Sequence, residues 1–494
     1  VRNLAIADRD PGHNNLFVLL SPEICEVLVM ICSSTASRLV ILRLALTGCL
    51  AGAAFVALMA SPMGAAAIAA SLSGADAINV DTRLGQSVLK EGRTQRVFLH
   101  IGIKGRSSQR ERERTPVNVA LVIDRSGSMK GDKIIKARAA AKMAIDRLTA
   151  SDAASVIVFD DRIDTLVSAR RVHDHSYFKG RIDGVYTRGR TAIFAAVEAA
   201  ARELRKFRKS GHPNRIILMS DGQANVGPRR AFEFADLGRR LGSDGITVST
   251  IGLGEGYNED LMAQLASASD GNHAFARTAD DLLRIFNGEF DDVLSVSAQD
   301  IEVIIETRAG VRPMRTLGRS GEITGNRTTI RLNQVYGTSE TSLQLELQVA
   351  SDIAVGEIEL ASVTIHFTSP DGTRHTLRTN VSGRFSSADD EVRASIDPKV
   401  MEPILELQAR ARYEKVIRMR DKGRIKDAKA LLQLNAQKLD AGQRLYGVKS
   451  KRLRSLSKKS RAQAASIADR SKWNATRKQM REDQSNRQGA AIKY

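Results

Sequence analysis

Asp124, Ser126 and Ser128 occupy alternate positions in ALVIDRSGSM (120–129), directly behind an apolar run. One carboxylate and two hydroxyls on a short loop are hard oxygen donors. They suit Mg²⁺ or Mn²⁺, which take near-octahedral oxygen and keep several waters, better than Zn²⁺ with its nitrogen and sulfur ligands. Three donors leave the shell incomplete, so other segments must contribute. Thr191 in RGRTAIFAAV (188–197) opens a helical stretch after a glycine-containing loop, and Asp221 in ILMSDGQ (217–223) ends another apolar run. The competing assignment for these five is helix and turn capping. Capping alone would not gather five oxygen residues at one edge of a sheet.

The elements that must position them follow from periodicity. From Val117 to about Phe290, the runs VNVALVID (117–124), ASVIVF (154–159), RIILMS (215–220) and ITVSTIGL (246–253) alternate with helical stretches. In one such stretch, 132–149, Ile134, Ala137, Ala141, Ile145 and Leu148 share a face. Near-continuous apolar strands separated by helices predict a doubly wound, mostly parallel α/β domain over 115–292. Ligand sites in such sheets lie at the carboxyl ends of the strands, where Asp124 and Asp221 fall.

D-x-S-x-S, a loop threonine and a strand-end S-D-G, in this order, resemble the metal-ion-dependent adhesion site of a von Willebrand factor type A domain. The resemblance implies that Ser126 and Ser128 ligate the metal directly and Asp124 and Asp221 mainly through waters. Thr191 would bind directly or through water, depending on conformational state. It also implies Mg²⁺, with Mn²⁺ or Ca²⁺ as alternatives, and an open coordination position for an Asp or Glu carboxylate of a partner protein. One departure stands out: the family usually has Gly-Gly-Thr where this chain has Gly189-Arg190-Thr191. A guanidinium there would either repel the ion or help hold an incoming carboxylate.

Other motifs carry less. The glycines of IGLGEG (251–256) are spaced G-x-G-x-G after a late strand, without an acidic ribose partner, and read as a loop. His173 and His175 form an H-x-H pair in a polar segment and read as solvated. No G-x-S-x-G elbow occurs, and no serine has an evident histidine partner in the sequence. The only cysteines are Cys25, Cys32 and Cys49, upstream of the folded body, which excludes a disulfide or thiolate metal site within it.

Residues 1–37 show no periodicity and read as a non-native or disordered extension. Arg38 and Arg43, an apolar run from Leu44 to Ala60, and small-residue sites around Ala67 to Ala69 follow the order of a secretory signal over 38–73. An uncleaved membrane anchor is the rival, since a spanning helix needs about 20 apolar residues.

Val97, Leu99, Ile101 and Ile103 alternate with polar residues, marking strand over 85–114. Strands at 301–307, Leu343 to Val349 and 358–367, with the turn SPDG (369–372), predict an antiparallel β-sandwich over 297–388, which the isolated upstream strand is expected to join. A helical hairpin over 397–448 follows, with stripes through Leu405, Ala409, Tyr413 and Val416 and through Ile425, Ala428, Leu432 and Leu439, and a stop at Gly423.

The formal charge is +19, and residues 451–494 hold 13 Lys/Arg against 3 Asp/Glu. This basic tail, 449–494, reads as solvated, with little to bury apart from Trp473. In an exported protein its expected partner is an anionic membrane or wall polymer rather than nucleic acid.

The whole order also resembles bacterial exported type A domain proteins of the calcium-activated chloride channel-like group. The sequence therefore predicts a non-enzymatic binding module, exported and periplasmic, cell-envelope or membrane-anchored. Two alternatives remain open: a metal-dependent hydrolase, for which no general base is evident, and a structural envelope protein held by its basic tail.

Overall fold

The computed structural model describes residues 70–74, 77–106, 115–209, 211–254, 256–337, 340–351 and 356–485, and element counts refer to these residues. Six strands form the α/β sheet, in the order His273–Ala276, Ile246–Leu253, Asn214–Ser220, Asn118–Asp124, Ala153–Phe159 and Ile163–Arg171. Neighbours are parallel except the last pair, which is antiparallel. Side chains alternate faces along a strand. Val119, Leu121 and Ile123 accordingly pack with Ile134, Ala137 and Ala141 of the helix Asp132–Asp146, whereas Ala120 and Val122 pack with Ile193, Ala196 and Val197 of the helix Ile193–Arg205. Both faces are covered, as the unbroken apolar runs require. Ile123 is in register with Met219, so Asp124 and the pair Ser220-Asp221 emerge side by side.

This layer is inserted into a β-sandwich. One sheet orders Ala70–Gly74, Ile78–Leu84, Gln95–Gly105, Glu340–Val349 and Val311–Leu317; the other orders Glu322–Thr324, Arg327–Tyr336, Val296–Thr307, Glu357–Thr368, Arg374–Ser386 and Val88–Lys90. Leu99 and Leu345 are partners across the antiparallel pair that joins the upstream strand to the downstream body. Inward residues from both sheets, among them Leu99, Ile101, Val303, Ile305, Leu347 and Ile365, make one core. Entry and exit of the insertion touch, because Ser297 Oγ donates to the carbonyl oxygen of Arg106 at 2.9 Å. The sandwich abuts the amino ends of the parallel strands. There the fully buried Arg215 donates to Ser249 Oγ at 2.7 Å and to Gln334 Oε1 at 3.0 Å, and stacks on Tyr336.

Residues 70–73, at the end of the expected export segment 38–73, lie in the strand Ala70–Gly74, which pairs antiparallel with Ile78–Leu84; the remainder of that segment and residues 1–37 lie outside the described residues. One expectation requires correction. The described part of the basic tail, 449–485, is not a solvated run. It forms the helices Lys451–Ser466 and Arg470–Ser485, and Leu453, Ala464, Ile467, Trp473 and Met480 are buried against the pair Pro398–Asp421 and Ile425–Leu445; residues 486–494 lie outside the described residues. Its few apolar residues recur at helical spacing, which suffices for a narrow buried stripe beneath a charged face. Among the described residues no helix is long and apolar enough to cross a membrane.

Candidate metal site at the carboxyl edge of the sheet

Asp124 ends its strand fully buried. Its Oδ1 accepts from the backbone N–H of Ser126 at 2.7 Å, and its Oδ2 accepts from Ser220 Oγ. Ser126 starts a single 3-10 turn, Gly127–Met129, that returns Ser128 toward it, with the two hydroxyl oxygens 3.1 Å apart. Ser128 Oγ then donates to Asp221 Oδ1 at 2.8 Å. Asp221 Oδ2 receives the ammonium of Lys133, which also reaches the carbonyl oxygen of Ser128 at 3.3 Å.

Thr191 comes from a third loop. Its N–H donates to Asn225 Oδ1 at 2.8 Å and its carbonyl accepts from Asn225 N at 3.1 Å, which locks it beside the S-D-G turn. Gly222 is required at that turn: a Cβ there would stand 2.9 Å from Thr191 Oγ1 and 3.4 Å from Asp124 Oδ2. Gly189 is required for a similar reason. Its φ is +69°, a Cβ would collide with Asp161, and its carbonyl accepts from Gly127 N at 3.2 Å, fastening the threonine loop to the D-x-S-x-S loop. The five predicted residues are thus brought together at one edge.

Burial drives the Asp124 carboxyl up to about 6, against hydrogen bonds from Ser220 and Ser126 that favour its ionised form; the neighbouring Asp221 adds to the rise. Two buried carboxylates drawn together, with three hydroxyl oxygens alongside, fit a small hard divalent cation. Among the described residues no cluster of three or more His, Cys, Asp or Glu side chains is placed to hold a metal. The present site is of another kind, because hydroxyls supply most of its donors.

Residues 118–287 match the family model described as von Willebrand factor type A domain. This chain carries a type A domain.

Relatives agree with that assignment. The chain is 25% identical over 319 residues to the uncharacterized protein sll0103 of Synechocystis sp., covering 63% of this chain and 75% of that protein. It is 29% identical over 229 residues to the uncharacterized protein YfbK of Escherichia coli, covering 45% of this chain and 39% of that protein. Among solved structures, a von Willebrand factor type A protein from Catenulispora acidiphila superposes with a TM-score of 0.62 at 15% identity, over 76% of this chain and 89% of that one. At that identity the likeness concerns the fold.

Several residues around the type A site were not singled out from the sequence. Ser220, Lys133 and Asn225 each touch a predicted ligand; Ser220 stands in the S-D-G motif itself, whereas nothing local marks Lys133 or Asn225. Behind the loops, the fully buried Asp160 accepts from Arg125 Nε at 3.0 Å and Arg188 Nε at 2.7 Å through Oδ2, and from the backbone N–H of Arg162 at 2.7 Å through Oδ1. Arg125 and Arg188 flank the site on two different loops, so this carboxylate sets their spacing. Arg190, whose position departs from the family pattern, is exposed.

The remaining motifs separate from the site. His173 is exposed, and His175 Nε2 lies 3.0 Å from the carbonyl oxygen of Leu148, so the H-x-H pair does not converge on a metal. One serine does have a histidine partner: Ser369 Oγ is 2.9 Å from His375 Nε2. Asp371 bonds to the serine rather than to the histidine, so the trio ties a hairpin turn and lacks the relay of a nucleophile.

Proposed function

We propose that Asp124, Ser126, Ser128, Thr191 and Asp221 hold Mg²⁺, with Mn²⁺ or Ca²⁺ as alternatives, and that the ion bridges this chain to an Asp or Glu carboxylate of a partner protein. The observation that carries the reading is the convergence of oxygen side chains from three loops, with Ser128 bonded to Asp221 at 2.8 Å. Type A domains are typically protein-interaction or adhesion modules. Only two of the five donors are carboxylates, so the ion retains positive charge toward a further carboxylate. Hydroxyls, hydrogen-bonded carboxylates and an ammonium surround it, which suits binding rather than proton transfer.

The same proposal places the protein in the cell envelope, exported on the segment that begins at Arg38, and groups it with the exported calcium-activated chloride channel-like proteins. Its support is the order of segments in the sequence. The anionic membrane or wall contact is proposed for the helix Lys451–Ser466.

Calorimetric titration of Mg²⁺ into wild type and Asp124→Ala tests the first step. Wild type should bind and the variant should not, with both remaining folded, and partner capture by wild type should be lost in EDTA. Equal heats, or none from wild type, would remove the site.

A further inference from the structure

Gly254, Gly256 and Tyr257, at the end of IGLGEG and just beyond it, lie between the candidate metal site and the last described helix. On the metal side, Gln223 Nε2 donates to the Gly256 carbonyl at 3.4 Å, and a Cβ on Gly256 would stand 3.8 Å from the Asp221 carbonyl oxygen. Lys133 Cε and Nζ would each stand 3.6 Å from a Cβ on Gly254. On the other side, Lys478 Nζ donates to the Tyr257 carbonyl at 3.0 Å and to Glu259 Oε2 at 2.8 Å, and stands 4.7 Å from the centroid of the Tyr257 ring.

The clamp is built rather than incidental. Lys478 and Glu259 are each 6% exposed, and charges so buried persist only when paired. Arg477 joins Glu259, Asp260 and Asp421, and Arg481 Nε reaches Asp260 Oδ1 at 2.8 Å. Glu259 and Asp260 lie in the first turn of the helix Glu259–Ala268, where the helix dipole already favours carboxylates. Asp421 ends the helix Pro398–Asp421 and also accepts from Trp473 Nε1 at 3.3 Å. The helix Arg470–Ser485 therefore fastens the helical region to the loop that backs the metal site.

We infer that this helix is a positioning element for the metal site: Lys478, clamped on Tyr257 and Glu259, holds Gly256 beside Gln223 and the main chain of Asp221, so that cation binding and helix seating are linked. Linkage is reciprocal, so whatever factor the seated helix adds to cation affinity, the cation returns to helix seating. The inference rests on the metal reading proposed above.

The test uses the full chain and Mn²⁺ as probe. Lys478→Met should weaken Mn²⁺ binding by about fivefold or more, within the range usual for coupled sites. Arg481→Gln should weaken it less, and Ile305→Val, which loosens the distant sandwich core, should leave it unchanged. In wild type, Mn²⁺ should slow amide exchange across 470–485 by a comparable factor; in Asp124→Ala it should not. Equal Mn²⁺ affinities in wild type and Lys478→Met, with exchange across 470–485 indifferent to the ion, would overturn the inference and leave the metal reading standing. No Mn²⁺ binding by wild type would overturn both. A loss in Ile305→Val matching that in Lys478→Met would assign the effect to general loosening and overturn the positioning role. Should Lys478→Met fail to fold, Arg481→Gln and the exchange measurement decide by the same criteria.

Discussion

Lys133 donates its ammonium to Asp221 and to the carbonyl oxygen of Ser128, so the chain sets a monovalent cation of its own on a carboxylate that the proposed divalent ion would use. The pair is half-buried on the lysine side and buried on the aspartate side. Solvent still reaches the ammonium, so the pair contributes about 1 kcal/mol, the upper end of the range for exposed pairs. Lys133→Met should therefore tighten Mg²⁺ binding by about two- to fivefold, and should lower the stability of the metal-free protein, in which Asp124 and Asp221 then face each other without it. Calorimetry and thermal melting in EDTA check the two halves. Looser Mg²⁺ binding would mean that Lys133 orients Asp221 rather than competing for it.

Asp160 is the hinge of the charges behind the site. Asp160→Ala would leave the buried Arg125 with Asp164 as its remaining carboxylate, so the loss should fall below the cost of a fully unpaired buried charge, about 3–5 kcal/mol. It would also leave Arg188 with Asp164 alone, at 3.3 Å, and so loosen the loop that carries Thr191 from one side, while the main-chain bond from Ala192 N–H to the carbonyl of residue 160 at 2.8 Å survives the substitution. Chemical denaturation should show the loss of stability, and Mg²⁺ titration of the surviving folded fraction should show weakened binding. A variant as stable as wild type would show that water replaces the carboxylate.

Acid should destabilise the fold through His273. Burial pushes its imidazole down to about 4, with Glu259 acting to raise it and Lys478 to lower it. It lies between Thr250 Oγ1 at 2.9 Å and the Tyr257 hydroxyl at 3.1 Å. The unfolded chain, with an ordinary histidine near 6.5, binds the proton more readily. Stability from this group is thus complete above about pH 6.5 and declines as pH falls toward 4, by up to about 3 kcal/mol. His273→Gln should flatten that part of the stability profile; an unchanged slope would assign the acid sensitivity to other groups.

Salt-sensitive attachment should depend on one helix rather than on the whole basic segment. Lys451, Arg454 and Lys458 are exposed on the helix Lys451–Ser466, whereas Arg452 pairs with Glu406, Arg461 with Asp440, and Arg477, Lys478 and Arg481 serve the clamp. Reversing the three exposed charges to glutamate should abolish retention on phosphatidylglycerol vesicles at low salt and leave Mg²⁺ binding unchanged. Full retention by this variant would remove the helix as the contact.

The parallel sheet and its oxygen-rich edge were legible because both are local signals. Unbroken apolar runs mark the strands, and alternate spacing puts Asp124, Ser126 and Ser128 beyond the end of one of them. What escaped depends on distance along the chain. The charge run after Lys449 looks unsatisfied in sequence because Glu259, Asp260 and Asp421 lie far upstream of Arg477. Arg215 looks like a surface cation until the sandwich closes over the amino end of its strand. Lys133 sits in the polar first turn of the helix Asp132–Asp146, and only the convergence of two strand ends gives it Asp221.

The insertion of the type A domain has a mechanical consequence. Its two connections to the sandwich touch at Arg106 and Ser297, at the amino ends of the parallel strands, while the proposed ligand contact lies at their carboxyl ends. A tensile force on a bound partner would therefore run along the strand Asn118–Asp124, from Asp124 back to the junction. Its hydrogen bonds to Ala153–Phe159 on one side and Asn214–Ser220 on the other would be loaded in shear, all at once, rather than peeled open one by one.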